Sequence, residues 1–343
     1  MSVLIVLVCG MRLPEEELSR GGFVLPEALR FGKYEGQVVE QTFAQGSLTE
    51  SPAHLAWLAR FFGLPESPVP TACFELAASG APRLAGEIWR LVPYRLDAGR
   101  CLPLSDPLTE MQNRELSDLL LAAAASCGAR LQRLGQEWFL ASREPLGPAP
   151  LPWENQLGRP PANRPENPWG AFCAEASRGL DGHPVNAERL RDGLAPVAGF
   201  FPDGGGAFPR VKPTAVRVIF TDSLFVRGLG LAATVPASRI VDVDAGLWPE
   251  APEGDALCVM QAPYADYATR DYAALRAKLA PVLSRVEGLV EEAARHKIGE
   301  VLVAFAGAAT VRSARFKLKN AFGIVTRPKA DTWDMGKLLR EEA

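Results

Sequence analysis

Uninterrupted apolar runs alternate with amphipathic stretches along the chain, and this alternation predicts an α/β protein. The first run, residues 3–8, contains no polar side chain, which is typical of a strand buried on both faces of a parallel sheet. Further strands are predicted at residues 216–220, 240–243, 256–261 and 301–305, and helices at 222–233 and 269–296. Strands that alternate with helices in this way indicate a largely parallel sheet with helices on both faces.

The first half contains two predicted helices with recognisable capping residues. Ser51 precedes Pro52 and an apolar face at helical spacing, so Ser51 is the predicted N-cap of the first helix. Thr109 and Gln112 have capping-box spacing at the start of the second helix. The other predicted elements are strands at 71–76 and 88–94, a hairpin at 131–140 and a helix at 169–180.

Proline density distinguishes one segment from its surroundings. Eight prolines lie within residues 145–168. Such a stretch favours an extended connector on the surface over a packed element. No internal repeat is visible on either side of it.

Composition and charge exclude several classes of function. Of the 343 residues, 48% are apolar and 22% are charged, as in an ordinary globular protein. The net charge is −3 and the 37 Lys and Arg residues form no basic stripe, so neither nucleic-acid binding nor electrostatic membrane attachment is expected. The N-terminal apolar run is too short for a signal peptide or a membrane span. The six cysteines include no CxxC pair, which predicts free thiols and a cytoplasmic location.

Few side chains suit a catalytic metal centre. The three histidines, His54, His183 and His296, share no ligand spacing, which argues against a zinc enzyme. His54 and His296 are expected to be surface or helix-end side chains. Asp242 and Asp244 could hold magnesium at a strand end, although the preferred interpretation is that both face solvent.

Residues 181–206 form the most informative segment. Asn186 can cap a short helix that Gly193 ends, with His183-Pro184 as the turn before it. The three glycines at 204–206 favour a plain loop, with a backbone cradle for phosphate as the alternative. The run as a whole is not explained by these local roles.

Beginning at His183, the run resembles the archaeal-type, cofactor-independent phosphoglycerate mutases, which carry a similar His-Pro-Val-Asn followed by an Arg, a Gly and a glycine pair. Residues 222–233 resemble that family's stretch reading roughly Leu-Val-Arg-Gly-Ile-Gly. Residues 259–266 resemble, more loosely, its metal-binding stretch. The resemblance covers most of the chain thinly and residues 180–235 well.

In overall pattern the chain is most similar to the bacterial RPFE-type regulatory proteins, which are relatives of the mutases. They share the passage from His-Pro-Val-Asn to the glycines, an early helix like residues 56–63 and a strand like residues 89–93. The resemblance supplies no biochemical activity for this group.

The resemblance implies an alkaline-phosphatase-like fold, in which a doubly wound, mostly parallel sheet carries an inserted α+β domain. Residues 1–90 and 195–343 would form the core. Residues 91–194, which include the proline-rich connector, would form a lid-like insertion of the kind that caps the active site in the mutases.

The chain departs from the mutase pattern at positions that hold metals in that family. The mutases end their first strand with an Asp, whereas this chain has Cys9, Gly10 and Met11 there. Where the family has Asp-Glu-Ala-x-His, residues 264–270 keep Asp266 and lack the histidine. A pair of cations clamps the attacking and leaving oxygens during phosphoryl transfer. The departures therefore predict a degenerate metal site, no catalytic residue and no cofactor.

The first hypothesis is a non-catalytic regulatory or ligand-binding protein, a pseudoenzyme that keeps the cleft between the two domains. Its ligand would be a small anionic metabolite, with Arg189 and Arg227 as the anion contacts; a protein partner is not identified. The residues expected to line or support the site are His183, Asn186, Arg189, Asp222, Ser223 and Arg227.

The alternative is a metal-dependent phosphotransferase, phosphoglycerate mutase or phosphatase with a remodelled site for Mn or Mg. Its candidate ligands are Asp222, Asp242, Asp244 and Asp266. A third hypothesis, a scaffold that binds partner proteins through residues 145–168, depends on composition alone.

Overall fold

A computed structural model describes residues 2–14, 16–17, 33–34, 39–43, 51–66, 68–81, 84–147, 152–161, 166–245, 248, 254–318, 320–321, 324–325 and 339–341. The strands are β1 (Val3–Cys9), β2 (Leu13–Pro14), β3 (Lys33–Tyr34), β4 (Val39–Thr42), β5 (Glu87–Asp97), β6 (Arg100–Pro103), β7 (Arg130–Leu134), β8 (Glu137–Ser142), β9 (Gly199–Ala207), β10 (Val216–Thr221), β11 (Ile240–Val241), β12 (Asp255–Met260), β13 (Glu300–Ala306), β14 (Thr310–Lys317), β15 (Asn320–Ala321), β16 (Ile324–Val325) and β17 (Arg340–Glu341). The helices are α1 (Ala53–Phe61), α2 (Thr71–Ala78), α3 (Glu110–Ser126), α4 (Trp153–Gln156), α5 (Pro168–Leu180), α6 (Pro184–Arg191), α7 (Leu224–Ala232), α8 (Tyr264–Thr269) and α9 (Tyr272–Arg295), with a 3₁₀ turn at Ala237–Arg239.

The chain divides into two compact units. Residues 1–45, 52–63 and 211–343 form the first, called the α/β unit below, and residues 46–51 and 64–210 form the second, called the inserted unit. The boundaries expected from the sequence are 90/91 and 194/195. Because β5 pairs with β9 along most of its length, both strands belong to the inserted unit.

The sheet of the α/β unit confirms the predicted fold class, with a mostly parallel central sheet. Its strand order is β11-β10-β12-β1-β13-β14-β3, with β4 also paired to β14. The first five strands run parallel, and β14 is antiparallel to β13. Strand β1 lies between β12 and β13, and residues 4–9 are all buried, which explains its uninterrupted apolar run.

The direction in which the chain winds across the sheet reverses between β10 and β12, although the two strands are parallel. From β10 the chain passes through α7 to β11, towards one edge, whereas from β12 it passes through α8 and α9 to β13, towards the other. Parallel crossovers are right-handed, so these two connections lie on opposite faces of the sheet. The sheet is thus doubly wound, with its switch point between β10 and β12.

The inserted unit contains a separate antiparallel sheet of β6-β5-β8-β7, with β9 paired to β5. Its core is aromatic: the ring of Trp89 packs edge-on against Trp169, and Trp138 packs edge-on against Phe200. Helices α3 and α5 contribute apolar residues to the same core. The predicted hairpin at 131–140 is confirmed as β7 and β8.

Residues 71–76, predicted as a strand, form helix α2 instead. Periodicity cannot distinguish a short apolar strand from a short buried helix, and here tertiary packing decides the outcome. The helix packs on β9 where that strand has glycines: a Cβ on Gly204 would lie 1.9 Å from Thr71 Oγ1.

The glycines at 204–206, for which the sequence predicts a loop with a phosphate cradle as the alternative, lie within β9 instead. A Cβ on Gly205 would lie 2.0 Å from Cε3 of Trp89, and one on Gly206 would lie 2.9 Å from Cβ of Pro70. The glycines are therefore required for close packing of α2 and Trp89 on the strand.

Two predicted helix caps are wrong and one is confirmed. Pro52, rather than Ser51, is the N-cap of α1, and Ser51 Oγ accepts a hydrogen bond from the amide of Val69. The N-cap of α6 is His183 rather than Asn186. The capping box of α3, formed by Thr109 and Gln112, is present as predicted.

The helix predicted at 269–296 is confirmed as α9, and the short helix α8 precedes it. Arg270 adopts a left-handed conformation with φ 60°, and Asp271 then caps α9 by accepting from the amide of Ala274. Part of the proline-rich segment, residues 148–151 and 162–165, lies outside the described residues.

None of the six cysteines, all of which lie in the described part of the chain, forms a disulfide, and Cys9, Cys73, Cys101 and Cys258 are buried. In the described part of the chain, no helix is both long enough and apolar enough to cross a bilayer.

The contact between Gly205 and Trp89 predicts that Gly205→Ala lowers the free energy of unfolding by about 1–3 kcal/mol, because the added methyl group overpacks a core that is already full. Urea unfolding followed by tryptophan fluorescence measures the change. Gly288→Ala in α9 is the control: a Cβ at this position would meet no atom of the described residues within 4 Å, so a gain of about 0.5–1 kcal/mol is expected from helix propensity. Equal effects of the two substitutions would contradict this packing role.

Candidate functional site

The carboxyl edge of the parallel sheet is where open α/β sheets bind ligands, at the strand pair where the winding direction reverses. In the α/β unit this pair is β10 and β12. Asp222 follows β10 directly, and Gln261 and Ala262 follow β12. The candidate site is therefore the set of residues at these two strand ends, together with the neighbouring end of β1.

The carboxylate of Asp222 joins the two strand ends. Its Oδ1 accepts a hydrogen bond from the amide of Gln261 at 2.8 Å, and its Oδ2 accepts one from the amide of Ala262, also at 2.8 Å. Hydrogen bonds to an ionised acceptor are stronger than neutral ones. Asp222 is exposed, yet its negative charge is already compensated by two main-chain donors.

Ser223 and Arg227 lie at the start of α7, beside Asp222. Ser223 is buried and caps the helix, because its Oγ accepts from the amide of Val226 at 3.5 Å. The half-buried Arg227 donates from Nη1 to the carbonyl oxygen of Ile240 at 3.3 Å. Asp222, Ser223 and Arg227 thus lie at the end of β10 and in the first turn of α7, and each bonds to main-chain groups.

The end of β1 carries no carboxylate. Cys9 is fully buried, and burial, together with the negative charge of Asp222, raises the pKa of its thiol well above the usual value, so the thiol is neutral. Gly10 has φ 74°, and a Cβ there would lie 2.6 Å from Cα of Tyr264. The glycine allows the start of α8 to approach β1 closely.

Asp266 is the carboxylate retained in the stretch that resembles the metal-binding segment of the mutases, and it forms an ion pair. Its Oδ2 lies 2.5 Å from Nζ of Lys278 in α9. The same ammonium group donates to the carbonyl oxygen of Ala262 at 3.5 Å. Lys278 therefore links α9 to the loop after β12, and its charge is matched by Asp266.

Metal ligands do not cluster in the described part of the chain, where no group of three or more His, Cys, Asp and Glu side chains is placed to hold an ion. Asp242 and Asp244 are both exposed, and Asp242 Oδ1 accepts from the amide of Asp244 within a turn. Val243 between them is buried, as the preferred interpretation of these aspartates requires.

His54, expected to be a surface or helix-end side chain, is the second residue of α1 and is buried rather than at the surface. It is 1% exposed, and neither ring nitrogen has a hydrogen-bond partner among the described residues. Its ring lies 4.3 Å from that of Tyr264, measured between centroids. Burial lowers the pKa of His54 from 6.5 to about 3, so the imidazole is neutral. The apolar residues on both sides of it in α1 are the sequence signal that could have located it.

His183 and Asn186 stabilise the fold of the inserted unit. His183 Nδ1 accepts from the amide of Val185 at 3.2 Å, which caps α6. Asn186 exchanges two hydrogen bonds with the main chain of Val197, at 3.0 and 2.8 Å, and so fixes the chain between α6 and β9. Both side chains use their polar atoms on the protein's own backbone.

Arg189 is fully buried, with no exposed surface. Its Nε donates to the carbonyl oxygen of Ala195 at 2.8 Å, and its Nη2 donates to that of Asp106 at 3.2 Å. Its Nη1 donates to Oε1 of Gln112 at 3.4 Å, in the capping box of α3. The geometry assigns Arg189 a structural role that joins α6 to α3.

The inserted unit has an open pocket of about 550 Å³ that Asn186 and Val197 line in part. Ser177, Arg178 and Asp181 contribute polar groups. Arg178 is exposed and pairs with Glu175. Of the site residues expected from the sequence, Asn186 lines this pocket.

No protein-family model and no curated protein matches the chain. Among the solved structures that it resembles is that of PH0037 protein from Pyrococcus horikoshii, which is 14% identical, with a TM-score of 0.50 over 95% of this chain and 90% of that chain. Another is the cofactor-independent phosphoglycerate mutase from Thermoplasma acidophilum, which is 15% identical, with a TM-score of 0.39 over 93% of this chain and 90% of that chain. The chain thus shares an α/β fold with the PH0037 protein, and at this identity the likeness concerns the fold alone.

The bridge between β10 and β12 predicts that Asp222→Ala lowers the free energy of unfolding by about 1–2 kcal/mol, because two charge-assisted hydrogen bonds at a solvent-exposed position are lost. Asp222→Asn should cost less, since its amide oxygen still accepts one of them. Urea unfolding measures both. Asp244→Asn, at an exposed position, is the control and should change stability by less than about 0.5 kcal/mol. If Asp222→Ala loses no more stability than this control, Asp222 does not stabilise the contact between the two strand ends.

The buried imidazole of His54 predicts an acid-sensitive stability. Its folded pKa is depressed, so the unfolded chain binds a proton that the folded chain does not, and stability is lost as pH falls below about 6.5 towards 3. The loss is up to about 1.4 kcal/mol for each pH unit in that window. His54→Leu should show a correspondingly smaller decline between pH 6.5 and 4.5 in urea unfolding. If the stability of His54→Leu falls with pH as steeply as that of the wild type, burial of His54 is not the origin of the acid sensitivity.

Proposed function

We propose that the protein is a non-catalytic, ligand-binding regulatory protein, similar to the RPFE type, on a phosphoglycerate-mutase-like scaffold. Its ligand is a small anionic metabolite that binds at the carboxyl edge of the α/β unit without a catalytic metal. The observation that carries the proposal is the Asp222 carboxylate, whose two oxygens are held by the amides of Gln261 and Ala262.

That bridge supports a binding role because it engages the Asp222 carboxylate, which a metal site for phosphoryl transfer would need as a ligand. A two-metal site needs several carboxylates and imidazoles aimed at one point. At this edge Asp222 is occupied by main-chain amides, Asp266 is occupied by Lys278, and the end of β1 offers the neutral thiol of Cys9. The described strand ends thus offer few free carboxylates that could hold a cation to polarise a phosphorus–oxygen bond.

Arg227 supports the choice of an anion as ligand. Its guanidinium group donates to the neutral carbonyl oxygen of Ile240, and among the described residues no carboxylate forms an ion pair with it. A guanidinium group presents several donors in a planar fork that matches phosphate and carboxylate. It lies one turn into α7, beside the switch point.

The alternative function is a phosphotransferase, phosphoglycerate mutase or phosphatase that holds Mn or Mg in a remodelled site. The observation in its favour is that Asp222 and Asp266 both lie just beyond the ends of neighbouring strands on the carboxyl edge. This function would require Asp222 to leave the two amides and turn towards a cation.

A panel of phosphorylated and carboxylated three-carbon metabolites, screened by thermal unfolding, tests the binding role. A ligand at about 100 times its Kd should stabilise the protein by about 2.7 kcal/mol and raise the melting temperature accordingly. Arg227→Gln should abolish the shift. Arg217→Gln, an exposed arginine on β10, should retain it.

The same preparation is assayed for manganese-stimulated turnover of an aryl phosphate. No turnover together with a ligand-induced shift is the expected result. Metal-dependent turnover that Asp222→Asn abolishes would favour the enzyme. No shift with any phosphate or carboxylate would count against the anion-binding role.

A further inference from the structure

Arg90 of the inserted unit is held between two carboxylates from different elements. Its Nη1 lies 3.3 Å from Oε1 of Glu75 in α2, and its Nη2 lies 3.0 Å from Oδ2 of Asp203 in β9. The guanidinium group is always charged in proteins. One cation is thus shared by two carboxylates, one from a helix and one from a strand that pairs with β5.

This cluster is buried and carries more acidic than basic groups. Glu75 is 7% exposed and Asp203 is 4% exposed, and the half-buried Glu137 and Glu154 add further negative charge close by. Oε2 of Glu75 and Nε of Arg90 are buried without a hydrogen-bond partner among the described residues. Buried charges are costly unless they are paired, so a single arginine cannot compensate all of these carboxylates.

Asp203 also holds a neighbouring segment against the sheet. Its Oδ1 accepts from the amide of Trp153 at 2.9 Å, at the start of α4. The same segment, residues 152–161, exchanges main-chain hydrogen bonds with Cys101 through Arg159 and Gly158, at 2.7 and 2.9 Å. Glu154 lies within this segment, so its charge is brought towards the cluster when the segment is docked.

We propose that the cluster of Glu75, Arg90, Asp203 and Glu154 is a pH-sensitive latch. With protons on Glu154 and Glu75, Arg90 compensates Asp203, and Asp203 in turn holds the amide of Trp153. Loss of these protons places the charges of Glu154 and Glu75 beside Asp203 with one guanidinium group to compensate them, and the repulsion between Glu154 and the other carboxylates loosens residues 152–161 from the sheet.

The direction of the pH dependence follows from the environment of Glu75. Burial raises its pKa from 4.5 to about 7; Arg90 opposes this rise, and Asp203 and Glu137 add to it. Burial and the charge of Asp203 likewise raise the pKa of Glu154 from 4.5 to about 8. Because Glu154 belongs to the segment that docks, the docked state binds a proton that the undocked state releases, so docking is firm near pH 4.5–5 and weakens as pH rises to about 8.

Hydrogen exchange of the full-length protein at the amides of residues 153–159 tests the latch. After correction for the intrinsic exchange rate at each pH, the opening equilibrium of this segment should increase by at least about tenfold between pH 5 and pH 7. Glu154→Gln, which keeps the shape and an acceptor but carries no charge, should remove most of this increase. Glu115→Gln, an exposed residue of α3, should leave it unchanged.

The proposal is overturned if wild-type opening changes less than about twofold over that range, or if Glu154→Gln keeps the full increase. Should Glu154→Gln fail to fold, the carboxyl carbons of the wild type are titrated by NMR. A buried glutamate that titrates between about pH 7 and 8 supports the latch, whereas titration of every glutamate below about pH 5 overturns it.

Discussion

The bidentate contact of Asp222 with the amides of Gln261 and Ala262 determines how charge is balanced at the carboxyl edge of the sheet. It closes the gap between β10 and β12, the two strands at which the sheet changes its winding direction. In an open α/β sheet this gap is where a ligand or a reacting group is normally placed. Here a carboxylate of the protein itself occupies the amide donors, and so the charge at the switch point is balanced before any ligand arrives.

The surroundings of Asp222 follow from the same constraint. Cys9 and Gly10 end β1 without charge, and Gly10 lets α8 approach so closely that Tyr264 packs over the strand end. Tyr264 in turn contacts the neutral ring of His54. The end of β1 and the loop after β12 are thus built from neutral or internally paired groups, which leaves Arg227 as the cation of the proposed anion site.

The sequence predicted the elements whose residues interact locally or are buried on both faces. The uninterrupted apolar run of β1 and the capping box of Thr109 and Gln112 are of this kind. It failed where distant residues decide: the run at 71–76 is a helix because glycines in β9 make room for it. The burial of His54 and the anchoring of Asn186 by Val197 depend on contacts between remote segments, which no local pattern reveals.

The candidate site was only partly accessible to sequence reasoning for the same reason. Asp222, Ser223 and Arg227 are neighbours in sequence, so the motif that contains them also brings them together in the fold. Arg189 belongs to an equally distinctive motif, yet its guanidinium group is consumed by carbonyl oxygens and by Gln112 within the inserted unit. A polar motif can therefore reflect a structural hydrogen-bond network as readily as a ligand site.

A crystal soaked with manganese and a phosphorylated three-carbon acid, with anomalous diffraction recorded for manganese, tests the central claim most directly. The account predicts that Asp222 remains on the amides of Gln261 and Ala262 and that no manganese peak lies at the carboxyl edge. Two manganese ions within about 4 Å of each other at that edge, with Asp222 among their ligands, would contradict it.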